Sequence, residues 1–444
     1  MFFSFHNAQR VLLSIFLLSH SQILAQDSSN KDNTFDMSLQ IRPRTEYRNG
    51  AYTPLNQGEQ NAFLTHNRTR LSMNYSNKDL LKVKFSVQNI NIWGQANQVQ
   101  TVDPTGGMSI YEAYADLKLS ENLRTRVGRQ MIALDDDRIF GSLDWHPAGR
   151  SHDALALEWN KNNTSVITYA AFNQNYKNNN LNVNNPIGQF FTPTDAQPYQ
   201  HLQLIHFKHQ LSKTSYFSIL LNNLGYRNDL LPDTKTHNLQ TFGMNYFGKK
   251  NAWNGHFSSY YQMGKNALGT KKSAYLLSGS LGYQVAKPLN ISIGADYLSG
   301  DDANRTDNIS NSFDPLYGTH HKFYGFMDYF YVGNAHKNAG LLDAHVKLSA
   351  KVSPSLNLGL NTHLFYSGAN IYNNNKKLSS YLGNEWDFTF GYNVMPNVSI
   401  VGGYSFFLNT ESLRYLKNKS TANPYQDWFW VSLNVNPQIL KAKF

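Results

Sequence analysis

Residues 39–50, LQIRPRTEYRNG, place Arg42, Arg44, Glu46 and Arg48 at strict two-residue spacing. In a strand, successive side chains point to opposite faces, so the four charges share one side, while Leu39, Ile41, Pro43, Thr45 and Tyr47 share the other. Facing lipid, each Arg would cost about 2–4 kcal/mol near the bilayer midplane, and three on the order of 10 kcal/mol. That rivals the whole stability of an ordinary domain. Facing water, like charges about 7 Å apart repel by roughly 0.6 kcal/mol per pair, and Glu46 offsets part of this. The charged face belongs in a wet interior and the apolar face outside it.

The bulk properties fit a strand that crosses a membrane. The chain opens MFFSFHNAQRVLLSIFLLSHSQILAQ, with Arg10, an apolar stretch over 11–18, and Ala25 before Gln26. This is the pattern of a secretory signal peptide, and residues 1–25 are set aside from fold reasoning. The remainder has no cysteine, which excludes a disulfide framework although the chain is exported. Aromatics reach 14% while the mean hydropathy is −0.49. After residue 25 no apolar run approaches the roughly 20 residues of a transmembrane helix. A polar-on-average, tyrosine-rich exported chain matches a β-barrel, in which only every second residue must be apolar. The formal net charge of +10 points to an anionic partner. Export excludes nucleic acid as that partner.

Period-two alternation recurs along the chain. In LNLGLNTHLFY, Leu356, Leu358, Leu360, Thr362, Leu364 and Tyr366 oppose Asn357, Gly359, Asn361 and His363. In EWDFTFGYNV, Trp386, Phe388, Phe390, Tyr392 and Val394 oppose Glu385, Asp387, Thr389, Gly391 and Asn393. LLDAHVKLSAK puts Asp343, His345, Lys347, Ser349 and Lys351 on one face. Short turns fall at 76–79, 120–122, 160–163, 211–214, 248–252, 286–288, 352–355 and 395–397. Longer polar segments lie at 50–61, 94–108, 133–150, 175–199, 225–237, 264–271, 299–339, 367–383 and 408–426. Eight short turns alternating with nine long loops join eighteen strands. The expected fold is an all-β, 18-stranded antiparallel transmembrane β-barrel with long extracellular loops and short periplasmic turns. Its expected limits are 38–435, after a periplasmic segment 26–37 and before a tail 436–444, because Pro437 interrupts the last alternating run. HKFYGFMDYFYV (321–332) is assigned to the loop 299–339, since counting it as a strand would break the even number.

The neighbouring strands extend the basic face. FLTHNRTRLSMNY sends His66, Arg68, Arg70, Ser72 and Asn74 one way; the next strand adds Lys82 and Lys84. SIYEAYADLKL adds Glu112, Tyr114, Asp116 and Lys118, and NLRTRVGRQ adds Arg124 and Arg126. Five adjacent strands therefore present a basic wall with carboxylates on the fourth.

The stretch VGRQMIALDDDRIFGSLDWHPAGRSHDALALEW (127–159) resembles the alginate-export family of outer-membrane porins. Gly128-Arg129-Gln130, Asp136 and Arg138, Gly141, Leu143-Asp144-Trp145, Gly149-Arg150 and Asp153 carry the resemblance, with RPRTEYRNG and YLSGDD…FDPLYGTHHKFYGFMD (297–328) beside them. These blocks are similar especially to the family's Bacteroidetes members. The resemblance implies an 18-stranded barrel that passes acidic polysaccharide through an arginine-rich constriction, with long loops folded into the lumen. It adds Arg129, Arg138 and Arg150 to the lumen candidates, with Asp144 and Asp153 bracing the guanidiniums as two-bond partners. Asp135 stands where the family has Gly, and His152 where an apolar aromatic is usual. Arg129 has the opposite parity to Arg124 and Arg126, so pointing it inward needs a β-bulge.

The expected function is a non-enzymatic, passive outer-membrane channel for an acidic polysaccharide or small anionic solute, working as a monomer in lipid. A general anion-biased porin shares the same sequence features. A hydrolase would need a nucleophile beside a base; His66 with Ser72, and His152 with Ser151 and Asp153, are the candidates, but no nucleophile motif surrounds either. A glycan-binding surface protein is the remaining alternative. No cofactor is expected apart from Ca²⁺ in the acidic loop 299–314, through Asp301, Asp302, Asp307 and Asp314.

Overall fold

The computed structural model describes residues 32–95, 107–172, 199–226, 235–331 and 336–444. The signal-peptide expectation for 1–25 lies outside them. Among the described residues eighteen antiparallel strands form one closed barrel. They are β1 (Asn33–Asn49), β2 (Ala62–Asn77), β3 (Leu81–Ile92), β4 (Met108–Lys118), β5 (Leu123–Gln130) and β6 (His152–Lys161). β7 (Thr164–Phe172), β8 (His201–Ser212), β9 (Ser215–Tyr226), β10 (His237–Lys250), β11 (Trp253–Lys265) and β12 (Lys271–Ala286) follow. The ring is completed by β13 (Leu289–Leu298), β14 (Leu341–Lys351), β15 (Leu356–Tyr366), β16 (Tyr381–Met395), β17 (Val398–Asn409) and β18 (Tyr425–Val435), and β18 pairs back onto β1.

The alternation seen in the sequence is the alternation of the wall. Ile41, Phe85, Val127, Leu155, Leu221, Phe257 and Phe388 are exposed on the outer face, where lipid would cover them. The intervening positions are buried although polar, among them Ser86, Gln88, Asn222, Ser258 and Asp387. Of these, Ser86 is bonded by Ser72, Gln88 by Arg70 and the Ala148 carbonyl, and Asp387 by Ser405. The short turns come where expected and are tight. Asn162, Asn251 and Asn397 take positive φ in two-residue hairpins, the conformation that Asn tolerates best after Gly.

The barrel is longer at its seam than 38–435. β1 begins at Asn33, and Gln438–Lys443 resume pairing with Thr34–Ser38 across a register shift at Met37/Ser38. Among the described residues, 33–37 are strand rather than a free periplasmic segment, and 438–443 of the tail are paired. Pro437 interrupts pairing for only two residues because its carbonyl still accepts the Leu39 N–H at 3.1 Å, and the bulge absorbs the missing donor.

Residues 321–331 lie inside the loop 299–340, not in the wall, and they turn inward. Tyr324, Met327, Tyr329 and Phe330 are fully buried, and Phe330 and Tyr329 pack against lumen-facing Phe365 and Phe407 with ring centroids 4.7 Å apart in both pairs. A single α-helix among the described residues, α1 (Glu411–Leu416), caps the last loop and buries Leu413 and Leu416.

Candidate functional site

Register decides which charges face inward. Arg42 lies opposite Arg68, Gln40 opposite Arg70, and Arg44 opposite His66. Arg70 lies opposite Gln88, and Asn74 opposite Lys84. Lys82 lies opposite Asp116, which in turn faces Arg126, with Lys118 opposite Arg124. Arg42, Arg44, Glu46, Arg48, Arg68, Arg70, Lys82, Lys84, Glu112, Asp116, Arg124 and Arg126 therefore share the inner face. A register shift at Ser86/Val87 turns Tyr111 inward as well, where its ring lies 3.5 Å beneath the Arg70 guanidinium.

The upper part of this wall is occupied by the protein itself. The loop 131–151, between β5 and β6, crosses the lumen and is fixed at three places. At its start Asp135, with φ +54°, accepts from His206 at 3.0 Å, Ser218 at 2.8 Å and Asn245 at 3.1 Å on β8–β10. Arg138 then pairs with Asp136 at 3.2 Å and with Asp296 on β13 at 2.9 Å, its guanidinium 4.0 Å over Phe323. Burial alone would lower the Arg138 pKa, but the two carboxylates hold it well above the usual value.

At the far wall Asp144 receives Arg68 at 2.9 Å, Arg42 at 3.4 Å and Arg70 at 3.4 Å. Arg68, 1% exposed, also donates twice to Gln40 and once to the Pro147 carbonyl. Arg44 donates to the Trp145 carbonyl at 2.8 Å and stacks over the Trp145 ring. Gln88 accepts from Arg70 and donates to the Ala148 carbonyl at 2.8 Å. Burial pushes the Asp144 carboxyl up, yet the three guanidiniums outweigh it and leave the pKa below 3.8. The Asp144 side chain nonetheless remains 50% exposed. His146, half-buried and beside Arg44, is pushed down by desolvation to about 4 and is neutral at pH 7. Glu46, wholly buried, accepts from Arg44 at 2.7 Å, Arg48 at 2.8 Å and Trp428 at 3.0 Å.

The loop 299–340 locks onto this strap. Gly141 and Thr319 donate to the Tyr317 and Asp137 carbonyls, at 2.9 and 2.8 Å. Arg150 donates to the carbonyls of Tyr317 and Gly318, and burial lowers its pKa to about 10. Trp145 stacks on His321 with ring centroids 4.2 Å apart, and His321 bonds Asp328 at 2.9 Å.

Nearer the short turns the same wall barely meets the strap, through the Met131 N–H donating to Glu112 at 3.5 Å. Asp116 accepts from Arg124 at 2.7 Å and from Arg126 at 2.9 Å; Lys84 pairs with Glu112 at 2.5 Å, and Lys82 reaches Asp79 at 3.7 Å. The cations among them, Lys82, Lys84, Arg124 and Arg126, keep more contact with water than Arg44 or Arg68 do.

Two lumen candidates are misplaced by the sequence reading. Arg129 and Asp153 form a two-bond pair at 2.9 and 2.7 Å, but on the outer face beside Val127 and Leu155, with side chains 43% and 55% exposed. The anticipated bulge does not form. β4 and β5 pair without a register shift past Gly128, whose φ of +121° lets the backbone approach Ala113 so closely that a Cβ would lie 2.2 Å from its carbonyl oxygen. The hydrolase candidates do not assemble either. Ser72 bonds Ser86 at 2.8 Å, and His152 bonds Tyr199 at 2.9 Å while Asp153 points to the opposite face. In the acidic loop Asp301 bonds Ser310 and Asn311, Asp302 bonds Asn370, Asp307 pairs with Arg305, and Asp314 accepts from Leu316. The four carboxylates are engaged separately.

A closed 18-stranded barrel with an apolar outer belt and inward-folded loops defines the class: an outer-membrane channel of the porin type. The family model for alginate export matches residues 33–423, and the chain belongs to that family. Pseudomonas aeruginosa OccK9 (OpdG) superposes with a TM-score of 0.62 at 10% identity, covering 91% of this chain and 98% of that one. Acinetobacter baumannii OccAB4 gives 0.63 at 10%, covering 93% and 100%, and P. aeruginosa OccK8 (OprE) gives 0.60 at 10%, covering 91% and 98%. At that identity the likeness is one of fold. No curated protein sequence matches the chain.

Proposed function

We propose that the channel passes anionic solutes, with an acidic oligosaccharide or polysaccharide of the alginate type as the favoured cargo, by passive diffusion along the β1–β5 wall. The observation that carries this reading is the concentration of guanidinium and ammonium groups on five adjacent strands. Arg124, Arg126, Lys82 and Lys84 keep contact with water below the strap, and half-exposed Asp144 sits among Arg42, Arg68 and Arg70 beside it. A uronate carboxylate fits the two-bond fork of a guanidinium. Each site is already shared with a protein carboxylate, so a passing carboxylate competes for it and binds weakly. Many weak sites favour sliding over sticking.

A second reading has its own support. Asp296, Asp343, Glu385 and Asp387 face the lumen from β13–β16, across from the basic wall, as in a barrel whose charges set a transverse field for small ions in general. Planar-bilayer recording under a KCl gradient, followed by addition of oligouronates, separates the two. Chloride preference with current block by oligouronates and none by neutral oligosaccharides is the expected result. Chloride preference without block leaves the general porin, and no conductance removes transport.

A further inference from the structure

One cluster in the lumen wall has no part in the strap or the basic face. Asp343 and His345 are two apart on β14, and His345 lies directly opposite His363 on β15. On β16, Asp387 lies opposite Asn361, two positions from His363, and Glu385 lies opposite His363 itself. Asp343, His345 and His363 each offer a ligand atom within 4.8 Å of the others, the only such group of three among the described residues. We propose that Asp343, His345 and His363 bind a first-row divalent metal ion of the Zn²⁺ type, with Asp387 orienting His363 from behind.

Three observations support the site. The first is a buried, unpartnered nitrogen. His345 is 9% exposed, its Nδ1 has no hydrogen-bond partner, and that atom lies 3.7 Å from Asp343 Oδ2, too long for a hydrogen bond. The ring is held with Nε2 packed against Gly294 on β13, where a Cβ would lie 2.6 Å away, so Nδ1 is the edge turned to the cluster.

The second is spacing. Ligand atoms about 2.0–2.2 Å from a tetrahedral ion stand roughly 3.4 Å apart. The separations here bracket that value, at 2.8 Å between His363 Nδ1 and Asp343 Oδ1 and 3.7 Å for the His345 contact. His363 Nε2 lies 3.8 Å from Asp387 Oδ2, and Asp387 is itself held by Ser405 at 2.6 Å. A carboxylate behind a ligating imidazole fixes its tautomer and raises its basicity.

The third is charge. Asp343, Glu385 and Asp387 are at most 1% exposed, and among the described residues none has a Lys or Arg within ion-pair distance. A buried carboxylate either takes up a proton or stays charged beside a compensating cation, and Asp343 has the two imidazoles beside it for a metal to join. Two imidazoles and a carboxylate suit Zn²⁺ or its neighbours Ni²⁺ and Cu²⁺ better than Ca²⁺, which takes oxygen ligands. Phe330 from the loop 299–340 packs on Phe365, which stacks on His363, so the site is roofed, and an ion enters most readily as the barrel folds.

The test is to refold the full chain in detergent with Zn²⁺, remove loose metal by dialysis, and count bound metal by elemental mass spectrometry. Refolding with Co²⁺ in parallel reads the ligand geometry from its visible spectrum. One ion per chain is expected, with the strong visible bands of low-coordinate Co²⁺. His345→Ala and His363→Ala should lose it, and Asp387→Asn should weaken it by about 10–100-fold. His256→Ala, a lumen histidine bonded to Ser278 and Ser280 instead, should keep it. Strand-type circular dichroism checks folding, and His345→Gln stands in for an alanine variant that fails to fold. Absence of retained metal in the folded wild type, or retention undiminished in the His345 and His363 variants, overturns the proposal and leaves a hydrogen-bonded His–Asp network.

Discussion

The arginines of β1–β2 and the pair Arg124 and Arg126 on β5 carry the same charge on the same inner face, yet they make different contacts. Arg42, Arg44, Arg68 and Arg70 are turned onto the loop 131–151, gripping the Asp144 carboxylate and the carbonyls of Asp144, Trp145 and Pro147. Among the described residues, Arg124 and Arg126 meet strand or turn groups, Asp116, Asp79 and the Tyr114 ring, and touch no inward loop. The first group holds the inward strap to the wall, whereas the second keeps contact with water. A lumen arginine is thus defined by what the loops bring to it as much as by its strand.

The largest effect should come from cutting the grip. Asp144→Ala removes the acceptor shared by three guanidiniums and leaves Arg68 buried with only neutral partners. Leaving such a group short of a partner costs on the order of 1–3 kcal/mol, at the lower end here because Asp144 is half exposed. The strap should detach from β1–β3 and single-channel conductance should rise several-fold; conductance equal to wild type would mean that Asp135 and Arg138 hold the strap unaided. Acid should mimic the variant. The Asp144 pKa is depressed in the folded protein, so its contribution is full above the ordinary value near 3.8 and is lost as pH falls through the lower folded value. Conductance should stay flat through neutral pH and step upward only in strong acid.

The second group is tested by selectivity. In Arg124→Gln/Arg126→Gln with Asp116→Asn, no carboxylate is left unpaired and conductance should change little, while the chloride preference falls. At about 7 Å in water each charge is worth roughly 0.6 kcal/mol, and removing two cations with one carboxylate takes away one net positive charge, so local anion occupancy changes by up to about threefold. The effect should shrink in 1 M KCl, where the screening length is about 3 Å. An unchanged reversal potential at low salt would shift selectivity back to the strap.

A smaller effect is expected at the rim. Lys417, just past α1, is buried with no hydrogen-bond partner among the described residues, and burial lowers its pKa to about 7. Because the folded pKa lies below the unfolded value of 10.5, the open loop binds the extra proton between those limits. Closure of the loop 410–424 should therefore strengthen as pH rises from about 7 toward 10.5 and gain nothing below 7. Amide hydrogen exchange across the loop, corrected for intrinsic rates, should show this trend in the wild type and lose it in Lys417→Met.

The wall was legible because bilayer physics leaves little choice. Three guanidiniums at one parity cannot face lipid, and the alternation of short turns with long loops supplied the strand number. The strap was not legible from periodicity, because Arg68 and Asp144 are 76 positions apart and no local pattern joins them; only the family resemblance brought loops into the lumen and Asp144 to the guanidiniums. Asp135 looked like a departure from a family glycine; its side chain anchors the loop through three partners. Tyr111 reached the lumen through a register shift that alternation cannot foresee. Asp343, His345 and His363 were read on their correct faces, but their strands were read separately, and only register brings them together, so no metal was expected there.

Arg129 is the instructive error, because parity already placed it outside and only the likeness to a family motif drew it inward. The structure pairs it with Asp153 on the outer face near the long-loop end of β5, where both remain partly exposed. An exposed pair of this kind is worth about 0–1 kcal/mol. Arg129→Ala/Asp153→Ala should therefore shift stability by no more than that and leave the reversal potential and any oligouronate block at wild-type values. Arg124→Gln/Arg126→Gln/Asp116→Asn, on the other side of the same strands, should move both. If the outer pair changed selectivity as much as the inner one, the chain would have to place Arg129 in the lumen, and the unbroken β4–β5 register would be wrong.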